Sequence, residues 1–441
     1  MEGHQKVKGI TVRWHRLDSE QLTMIICTAV VFLAQISENN NSSMVMLVGY
    51  LIALLWSLVC NSAMLMAMNL FFLSDNSLLD IGGVSIQLII MCVYLIKFVV
   101  LKKKKLYAKT FVFGIFISIY SIIYINRGMG YVLQGVKLAT MIIFMTEYFL
   151  EKESLTKENY IKQLSFAVMG VFISVVAAIC VNPSILLSSR IALSEDSNWN
   201  LLGILSALLF SHSFMMLFVT KSNEKKYIAY SIIMAGCALI STSRTALALI
   251  IGGTIWILLF VNQNGTIARK CIVLFAIIIF LILLANGTIQ ISYVDKLIDR
   301  IINPRRGDIS NGRFALWTGY IEYLKTHTEI LWLGYGGTLI EGITTQTSSI
   351  SNMAHNMLIE QITMYGIIGT ILVLLLYISS AVRIRRSVND VLKKCKIKYA
   401  VCIILVFAAG MVSHIITSVL VTTELYLGIM QFYVLSMKGN K

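Results

Sequence analysis

The chain has 441 residues, of which 57% are hydrophobic and only 13% are charged. A mean hydropathy of +0.78 excludes an ordinary soluble domain, in which about 25% of residues are charged. Two prolines and a series of long apolar runs are typical of helices that cross a bilayer, because each crossing needs about 20 apolar residues. The sequence therefore predicts an all-α, polytopic transmembrane helical bundle that forms a single integral membrane domain over residues 1–441.

Hydropathy predicts about 12 to 14 spans. In chain order, the apolar runs cover residues 21–37, 44–60, 84–101, 110–125, 130–150, 161–181, 199–219, 227–243, 245–261, 271–285, 354–382, 399–421 and 424–437. The number of spans before residue 84 is left open, because AMLMAMNLFFL at residues 63–73 fits either a further short crossing or an interfacial segment. A third alternative is that the first two runs form a single crossing.

The net charge of +15 is concentrated in the N-terminal tail, in short loops between apolar runs and at the C-terminus. The densest clusters lie at residues 102–109, 152–162, 221–226 and 383–398. Short basic loops are typical of the cytoplasmic side of a membrane protein, so the positive charge predicts orientation and not a nucleic-acid partner. The eight cysteines lie in apolar runs or in a basic loop, and we expect no disulfide framework.

The longest polar segment, residues 286–353, is predicted to be a large extracytoplasmic loop with equal numbers of basic and acidic residues. It is too short for a domain with its own core, but two amphipathic helices are expected in it, on the membrane surface or over the bundle. The first is ISYVDKLIDRIIN, with an apolar face of Val294, Leu297, Ile298 and Ile301. The second is RFALWTGYIEYLKT, with Phe314, Trp317 and Ile321 on one face and Ser310 or Asn311 as its cap.

Three arginines are predicted on the extracytoplasmic side, against the usual charge bias: Arg190, Arg244 and Arg313. Arg244 follows three hydroxyl residues at 241–243. This combination favours phosphate binding, because a guanidinium donates two hydrogen bonds to phosphate and keeps its charge. Interfacial anchoring is the alternative for Arg244. Arg313 opens a predicted helix, where the helix dipole disfavours a cation, so we expect an anion nearby.

His355 stands where the long loop meets an apolar helix, in AHNMLIEQ. The positive end of the helix dipole favours a neutral imidazole there, and a neutral imidazole can accept a proton. Simple capping at the membrane interface is the alternative. Asn356 is expected either to orient the ring or a substrate hydroxyl, or to cap the helix. The following GIIGT, residues 366–370, predicts close packing by a neighbouring helix.

The sequence contains no P-loop, no dinucleotide-binding glycine fingerprint, no HExxH and no CxxC motif,. It also lacks an acidic pair or a His/Cys cluster in the predicted outer loops. We therefore expect no cofactor and no metal site. If the protein handles phosphate, arginine must supply the counter-charge.

Five ionisable residues fall within the apolar runs: Lys97, Lys137, His212, His414 and Glu424. In a transporter, such residues line a pathway at mid-membrane depth. No pair among them is evident from the sequence, and we expect them to lie at the membrane interfaces.

Three segments occur in this order along the chain: SRTA at residues 243–246, NGRFALW followed by WLGYGG at residues 311–337, and His355-Asn356 followed after nine residues by GIIG. Together they resemble the bacterial O-antigen ligase and O-antigen or capsular-polysaccharide polymerase family of polytopic glycosyltransferases. SRTA at residues 243–246 resembles the family's arginine at the outer end of a mid-chain span. NGRFALW followed by WLGYGG resembles the (S/N)GR-x3-W segment and later G-x-G of its large outer loop. His355-Asn356, nine residues and then GIIG resembles its H-N-x9-G-x2-G pattern.

The resemblance implies an inverting, metal-independent transferase of the bacterial inner (plasma) membrane, with its active site on the extracytoplasmic side. Its donor would be a glycan on undecaprenyl diphosphate, and a chain-length regulator would be a further partner. Arg244 and Arg313, with Arg190 as a further candidate, would bind the diphosphate. His355 would be the general base that takes the proton from an acceptor hydroxyl, and Asn356 would support it.

Within this family, we expect a polymerase that joins lipid-linked repeat units of an O-antigen or capsule. A ligase that moves a finished glycan to a lipid or protein acceptor is the first alternative. A lipid-linked oligosaccharide flippase is the alternative from another class of protein.

Overall fold

A computed structural model of the protein describes residues 18–75, 80–81, 84–127, 129–151, 154–187, 199–220, 223–261, 267–268, 270–272, 274–275, 292–302, 312–337, 344–345, 348–349, 354–387, 397–412 and 419–437. These residues are mostly α-helical. Two antiparallel ladders of two-residue strands accompany the helices: β1 (Asp80–Ile81) with β2 (Val84–Ser85), and β3 (Thr344–Thr345) with β4 (Ser348–Ser349). The predicted all-α class is confirmed.

The helices that precede the long polar segment are α1 (Ser19–Asn39), α2 (Ser43–Val59), α3 (Ser62–Phe71), α4 (Ile86–Ile96), α5 (Ala108–Tyr120), α6 (Met129–Phe149), α7 (Lys157–Val181), α8 (Trp199–Val219), α9 (Glu224–Ile240) and α10 (Arg244–Phe260). The helices within and after it are α11 (Ser292–Ile302), α12 (Arg313–Thr326), α13 (Thr328–Leu333), α14 (Met357–Ser387), α15 (Val401–Val412) and α16 (Val419–Met437).

Six helical stretches in the described parts of the chain are long and apolar enough to cross a membrane: Ser19–Asn39, Ala108–Asn126, Met129–Phe149, Lys157–Val181, Asn200–Val219 and Met357–Arg386. Shorter apolar helices accompany them, α2 and α10 among them. Large apolar side chains such as Leu55, Val59 and Ile119 are exposed, as expected for a surface that faces lipid tails. The chain is therefore a polytopic helical bundle, while the total of 12 to 14 spans stays a prediction.

The region before residue 84, which the sequence leaves open, contains the ten-residue helix α3. Its residues from Met64 to Phe71 are all buried, and it packs against α7 and α4. At 1.5 Å per residue, ten residues rise only about 15 Å, half the thickness of the hydrocarbon core. α3 is therefore a buried helix of the bundle that is too short to cross a bilayer alone, and the number of spans before residue 84 stays open.

The centre of the bundle is α8, which is buried along its whole apolar length. α9 and α10 both pack against α8, and α10 also packs against α15. Where the turn between α9 and α10 meets α8, the α8 residue is Gly203. A Cβ at Gly203 would lie 2.3 Å from Ser241 Oγ and 2.8 Å from Ser243 Cβ. The absence of a side chain at Gly203 therefore lets the turn that precedes Arg244 lie directly on α8.

Both predicted amphipathic helices of the long polar segment form, as α11 and α12. On α11, Val294 is buried and Ile298 is 45% exposed, whereas the side chains of Leu297 and Ile301 lie outside the described residues. α11 packs against α9.

The predicted apolar face of α12 is only partly the side that packs on the protein: Trp317 packs against the cluster of Leu316, Tyr320 and Ala354. Leu316, Tyr320 and Leu324 are buried, whereas Phe314 is 67% exposed and Ile321 is 43% exposed. The helix is apolar on more than one side, so its periodicity did not determine which side faces the protein. Its N-cap is Gly312, which makes no side-chain capping bond, while the predicted caps at residues 310 and 311 lie outside the described residues.

Two of the ionisable residues in the apolar runs form a pair inside the bundle, which corrects the expectation that they lie at interfaces. His212 on α8 and Glu424 on α16 are fully buried, and His212 Nε2 lies 3.7 Å from Glu424 Oε2. Tyr160 Oη is 3.0 Å from His212 Nδ1, and Gln431 Nε2 donates to the His212 carbonyl at 3.3 Å. Burying such groups in a membrane is costly unless they are paired.

Candidate functional site

Arg244 is the first residue of α10 and follows a tight turn. Ser243 caps the helix, because its Oγ accepts a hydrogen bond from the Ala246 N–H at 3.3 Å. Ser241 Oγ donates to the Ala238 carbonyl at 2.7 Å, and both serines are buried. These hydroxyls therefore build the turn that presents Arg244, and they do not form an open set of donors beside it. Arg244 itself is partly exposed.

Arg313 holds the same position in α12, as the first residue of its helix. It is partly buried, and burial lowers the pKa of its guanidinium, which the neighbouring Arg244 guanidinium lowers further. A like charge has this effect only at short range. Arg244 and Arg313 are therefore electrostatic neighbours, and each is the first residue of a helix.

The positive ends of two helix dipoles add to the two guanidinium charges at this place. Each helix N-terminus carries about half an elementary positive charge and exposes backbone N–H groups. Such a concentration of positive charge favours an anion, and a diphosphate or carboxylate suits it best because guanidinium groups donate paired hydrogen bonds to such oxygens.

The same helix, α12, contacts the residue that precedes His355. One turn after Arg313, Trp317 Nε1 donates a hydrogen bond of 2.7 Å to the Ala354 carbonyl. Ala354 is fully buried and packs against Leu316. Because residues four positions apart lie on the same side of a helix, Arg313 and Trp317 face the same way. α12 thus connects the arginine pair to the segment that begins at His355.

The backbone of His355 is in the left-handed region, with φ at +51°. Its N–H donates to Glu360 Oε1 at 2.7 Å, and Glu360 is fully buried. A left-handed conformation costs a residue with a side chain about 1–2 kcal/mol, and one intramolecular hydrogen bond offsets about 0.5–1.5 kcal/mol of that cost. The Glu360 carboxylate therefore stabilises a strained backbone at His355.

Asn356 caps α14. Its Oδ1 accepts hydrogen bonds from the Leu358 N–H at 3.0 Å and the Ile359 N–H at 3.2 Å. Its Nδ2 donates to the Met411 carbonyl at 3.3 Å, and the side chain is buried. Of the two alternatives that the sequence offers for Asn356, these bonds support the cap. They also tie the start of α14 to the end of α15.

α14 is broken at Gly366, where φ is +62° and ψ is −176°. Next to the break, the carbonyl of Thr363 accepts a hydrogen bond from the Tyr335 N–H at 2.6 Å, and the carbonyl of Met364 accepts one from the Gly336 N–H at 2.9 Å. The WLGYGG segment is therefore bound, backbone to backbone, to the broken helix. His355 lies just before the first half of α14, residues 357–365, and the break at Gly366 separates that half from the rest of the candidate span.

Glycines make this contact sterically feasible. A Cβ at Gly366 would lie 2.3 Å from a carbonyl oxygen of the WLGYGG segment, and a Cβ at Gly334 would lie 2.5 Å from the Met364 carbonyl oxygen. The close helix packing that GIIGT predicts is found at its second glycine, Gly369. A Cβ at Gly369 would lie 2.5 Å from the ring of Tyr120 on α5. The motif thus combines a helix break with a packing contact.

The structure brings together Arg244, Arg313 and the segment that begins at His355, while Arg190 lies outside the described residues. Glu360 was not assigned a role from the sequence, although it lies in the first turn of α14, where the helix dipole favours an acidic residue,. Among the residues that the structure describes, no group of three or more His, Cys, Asp and Glu residues is arranged to hold a metal ion.

A bundle of membrane helices with an arginine pair and a histidine joined through one amphipathic helix defines a polytopic membrane protein with a polar site at its helix ends. Residues 229–374 match the family model described as O-antigen ligase. This match confirms the resemblance to the O-antigen ligase and polymerase family, whose members are membrane glycosyltransferases. It covers about a third of the chain and includes Arg244, Arg313 and His355. No curated protein and no solved structure matches the chain significantly.

Proposed function

We propose that this protein is a polymerase that transfers a glycan from undecaprenyl diphosphate to a sugar hydroxyl of the next lipid-linked repeat unit, on the outer face of the bacterial inner membrane. The observation that carries the proposal is the proximity of Arg244 and Arg313, together with the Trp317 contact that joins α12 to the start of the His355 segment.

The two guanidinium groups bind the diphosphate of the donor and stabilise the charge that develops on it as the leaving group. In enzymes, removing one such stabilising group costs about 10²–10³ in rate. Arginine suits this role because it remains charged even when it is partly buried. The lipid tail of the donor lies along the apolar surface of the bundle.

His355 acts as the general base. It accepts the proton of the acceptor hydroxyl while the hydroxyl oxygen attacks the anomeric carbon of the donor sugar. The bond between that carbon and the phosphate oxygen breaks, its electron pair leaves with undecaprenyl diphosphate, and the anomeric configuration inverts. A positioned general base contributes about 10²–10⁴ in rate. The reaction needs no metal, because arginine supplies the counter-charge.

The test is transfer by the purified protein in lipid nanodiscs, with an undecaprenyl-diphosphate-linked repeat unit as the substrate and EDTA present. The proposal predicts carrier-linked products of two or more repeat units, whose formation EDTA does not inhibit. Absence of any new glycosidic bond with a competent substrate would contradict it. A deletion strain separates polymerase from ligase: single repeat units accumulate after loss of a polymerase, and full-length chains remain on the carrier after loss of a ligase.

A second candidate function, transport of a lipid-linked oligosaccharide, is favoured by the buried pair of His212 and Glu424. Ionisable pairs inside a membrane protein often serve ion or substrate movement. A flippase would move a labelled lipid-linked oligosaccharide across proteoliposome membranes without forming a glycosidic bond, and replacing either member of the pair would abolish that movement.

A further inference from the structure

We infer that Glu360 is a positioning residue for His355: its carboxyl group holds the His355 backbone and thereby fixes the point from which the imidazole reaches the substrate. The inference rests on the proposed function, in which His355 is the general base. Glu360 itself would not touch the substrate.

The contact is short and well placed. His355 N–H donates to Glu360 Oε1 at 2.7 Å, at the short end of the range for N–H···O hydrogen bonds. The Glu360 side chain is fully buried, so water does not compete for the carboxylate. A buried carboxylate without hydrogen bonds would be costly, and the position at the helix start lowers that cost because the helix dipole favours a negative charge there.

The bond holds the His355 backbone in an unusual conformation, and that backbone sets the direction of the Cα–Cβ bond from which the imidazole extends. His355 has φ at +51°, a conformation that a residue with a side chain leaves when nothing holds it. Rotation about φ moves the Cβ and the carbonyl group of His355 relative to its N–H. The position of the imidazole therefore changes relative to Ala354, the residue before it. A shift of about 1 Å at a reacting group can cost about 10²-fold in rate.

Hydrogen bonds also hold the residues on either side of His355. Asn356 holds the first turn of α14 through two backbone N–H groups, and Trp317 holds the Ala354 carbonyl. His355 lies between these two anchored residues. The bond to Glu360 therefore completes the set of contacts that define the backbone of the base.

Two conservative substitutions separate the reach of the side chain from its charge. Glu360→Gln keeps an oxygen at the position of Oε1 but removes the charge. Glu360→Asp keeps the charge but shortens the side chain by one carbon–carbon bond, about 1.5 Å, so the hydrogen bond to His355 is lost. Glu322→Asp and Glu322→Gln, at an exposed position of α12, are the matched controls.

The experiment measures kcat, KM and the Kd of the lipid-linked donor for these variants and for His355→Ala. We expect Glu360→Asp to lower kcat about 10-fold to 100-fold with the donor Kd within about twofold of wild type, and Glu360→Gln to keep kcat within about threefold. In the His355→Ala background, Glu360→Asp should cause no further loss.

Three results would overturn the inference. The first is wild-type kcat in Glu360→Asp, and the second is a larger loss of kcat in Glu360→Gln than in Glu360→Asp. The third is a weakening of donor binding, in both variants, that is as large as the loss of kcat. These results are distinguishable from failure of the proposed function. If His355→Ala keeps wild-type turnover, the base assignment fails. If His355→Ala is inactive while Glu360→Asp is fully active, only the positioning role of Glu360 fails.

Discussion

Arg244 and Arg313 each occupy the first position of a helix, and they lie close enough that the Arg244 guanidinium lowers the pKa of Arg313. They are 69 positions apart in the chain. Two like charges at two positive helix ends repel one another, so this arrangement costs free energy in the unliganded protein. A bound diphosphate would offset that cost.

We expect Arg313→Gln or Arg244→Gln to raise the Kd of a lipid-linked donor and to lower kcat/KM about 10²–10³-fold, because each removes one charge from the phosphate site. Arg→Lys should restore only part of the activity, since an ammonium does not donate paired hydrogen bonds. The measurement is a transfer assay with titrated donor.

Lys325→Gln is the matched control for Arg313→Gln, because Lys325 is an exposed cation in the last turn of the same helix. It should leave kcat/KM unchanged. Equal effects of the Lys325 and Arg313 substitutions would point to a nonspecific effect of charge on the lipid substrate and not to a diphosphate site.

Trp317→Phe tests the connection between α12 and the His355 segment. The change keeps an aromatic ring but removes the N–H that donates to the Ala354 carbonyl. We expect a loss of about 1 kcal/mol in the free energy of unfolding and a fall in kcat that exceeds the change in donor Kd. Trp332→Phe, at a 52% exposed position, should change neither quantity; a kcat of wild-type size in Trp317→Phe would argue against the connection.

Two glycines with positive φ, Gly366 in the broken helix and Gly312 before α12, give a stability test with an internal control. Gly366→Ala combines a positive φ with a Cβ that would meet backbone atoms at 2.3 Å, and it should cost about 3–5 kcal/mol through strain and overpacking together. Gly312→Ala also has a positive φ but meets nothing within 4 Å, so it should cost only about 1–2 kcal/mol. Thermal unfolding in detergent measures both; equal losses would show that steric contact with the WLGYGG segment is unimportant.

Substituting the buried pair of α8 and α16 should destabilise the protein in a non-additive way. His212→Leu or Glu424→Met alone leaves one buried polar partner without the other and should cost about 1–3 kcal/mol. The double variant removes both and should regain most of that stability. A double-mutant cycle of thermal unfolding measures the coupling, and additive losses would show that the two side chains do not interact.

The sequence predicts those features that depend on local pattern. The apolar runs predict α9 and α10 to within a few residues, and the two amphipathic segments predict α11 and α12. Hydropathy does not predict the break at Gly366, because GIIGT is apolar and continuous in composition. The break depends on carbonyl groups that pair with a distant loop.

The site is only partly visible in the sequence for a related reason. Arg244, Arg313 and His355 stand out because each is a polar residue at the end of an apolar or amphipathic segment. The link from α12 to the residue before His355, through Trp317, is a tertiary contact, as is the pairing of His212 with Glu424 across more than two hundred residues. The sequence predicts α12 but does not determine which of its sides packs on the protein, because its apolar residues cover more than one face of the helix.

The most direct test of the central claim is a paired measurement of donor binding and transfer in His355→Ala, with wild type alongside and EDTA present. If a neutral imidazole is the base and the arginines alone hold the diphosphate, the Kd of the donor stays within about twofold while kcat falls by about 10² or more. Wild-type turnover by the His355→Ala protein would contradict the account, as would loss of donor binding in that variant with Arg244 and Arg313 intact.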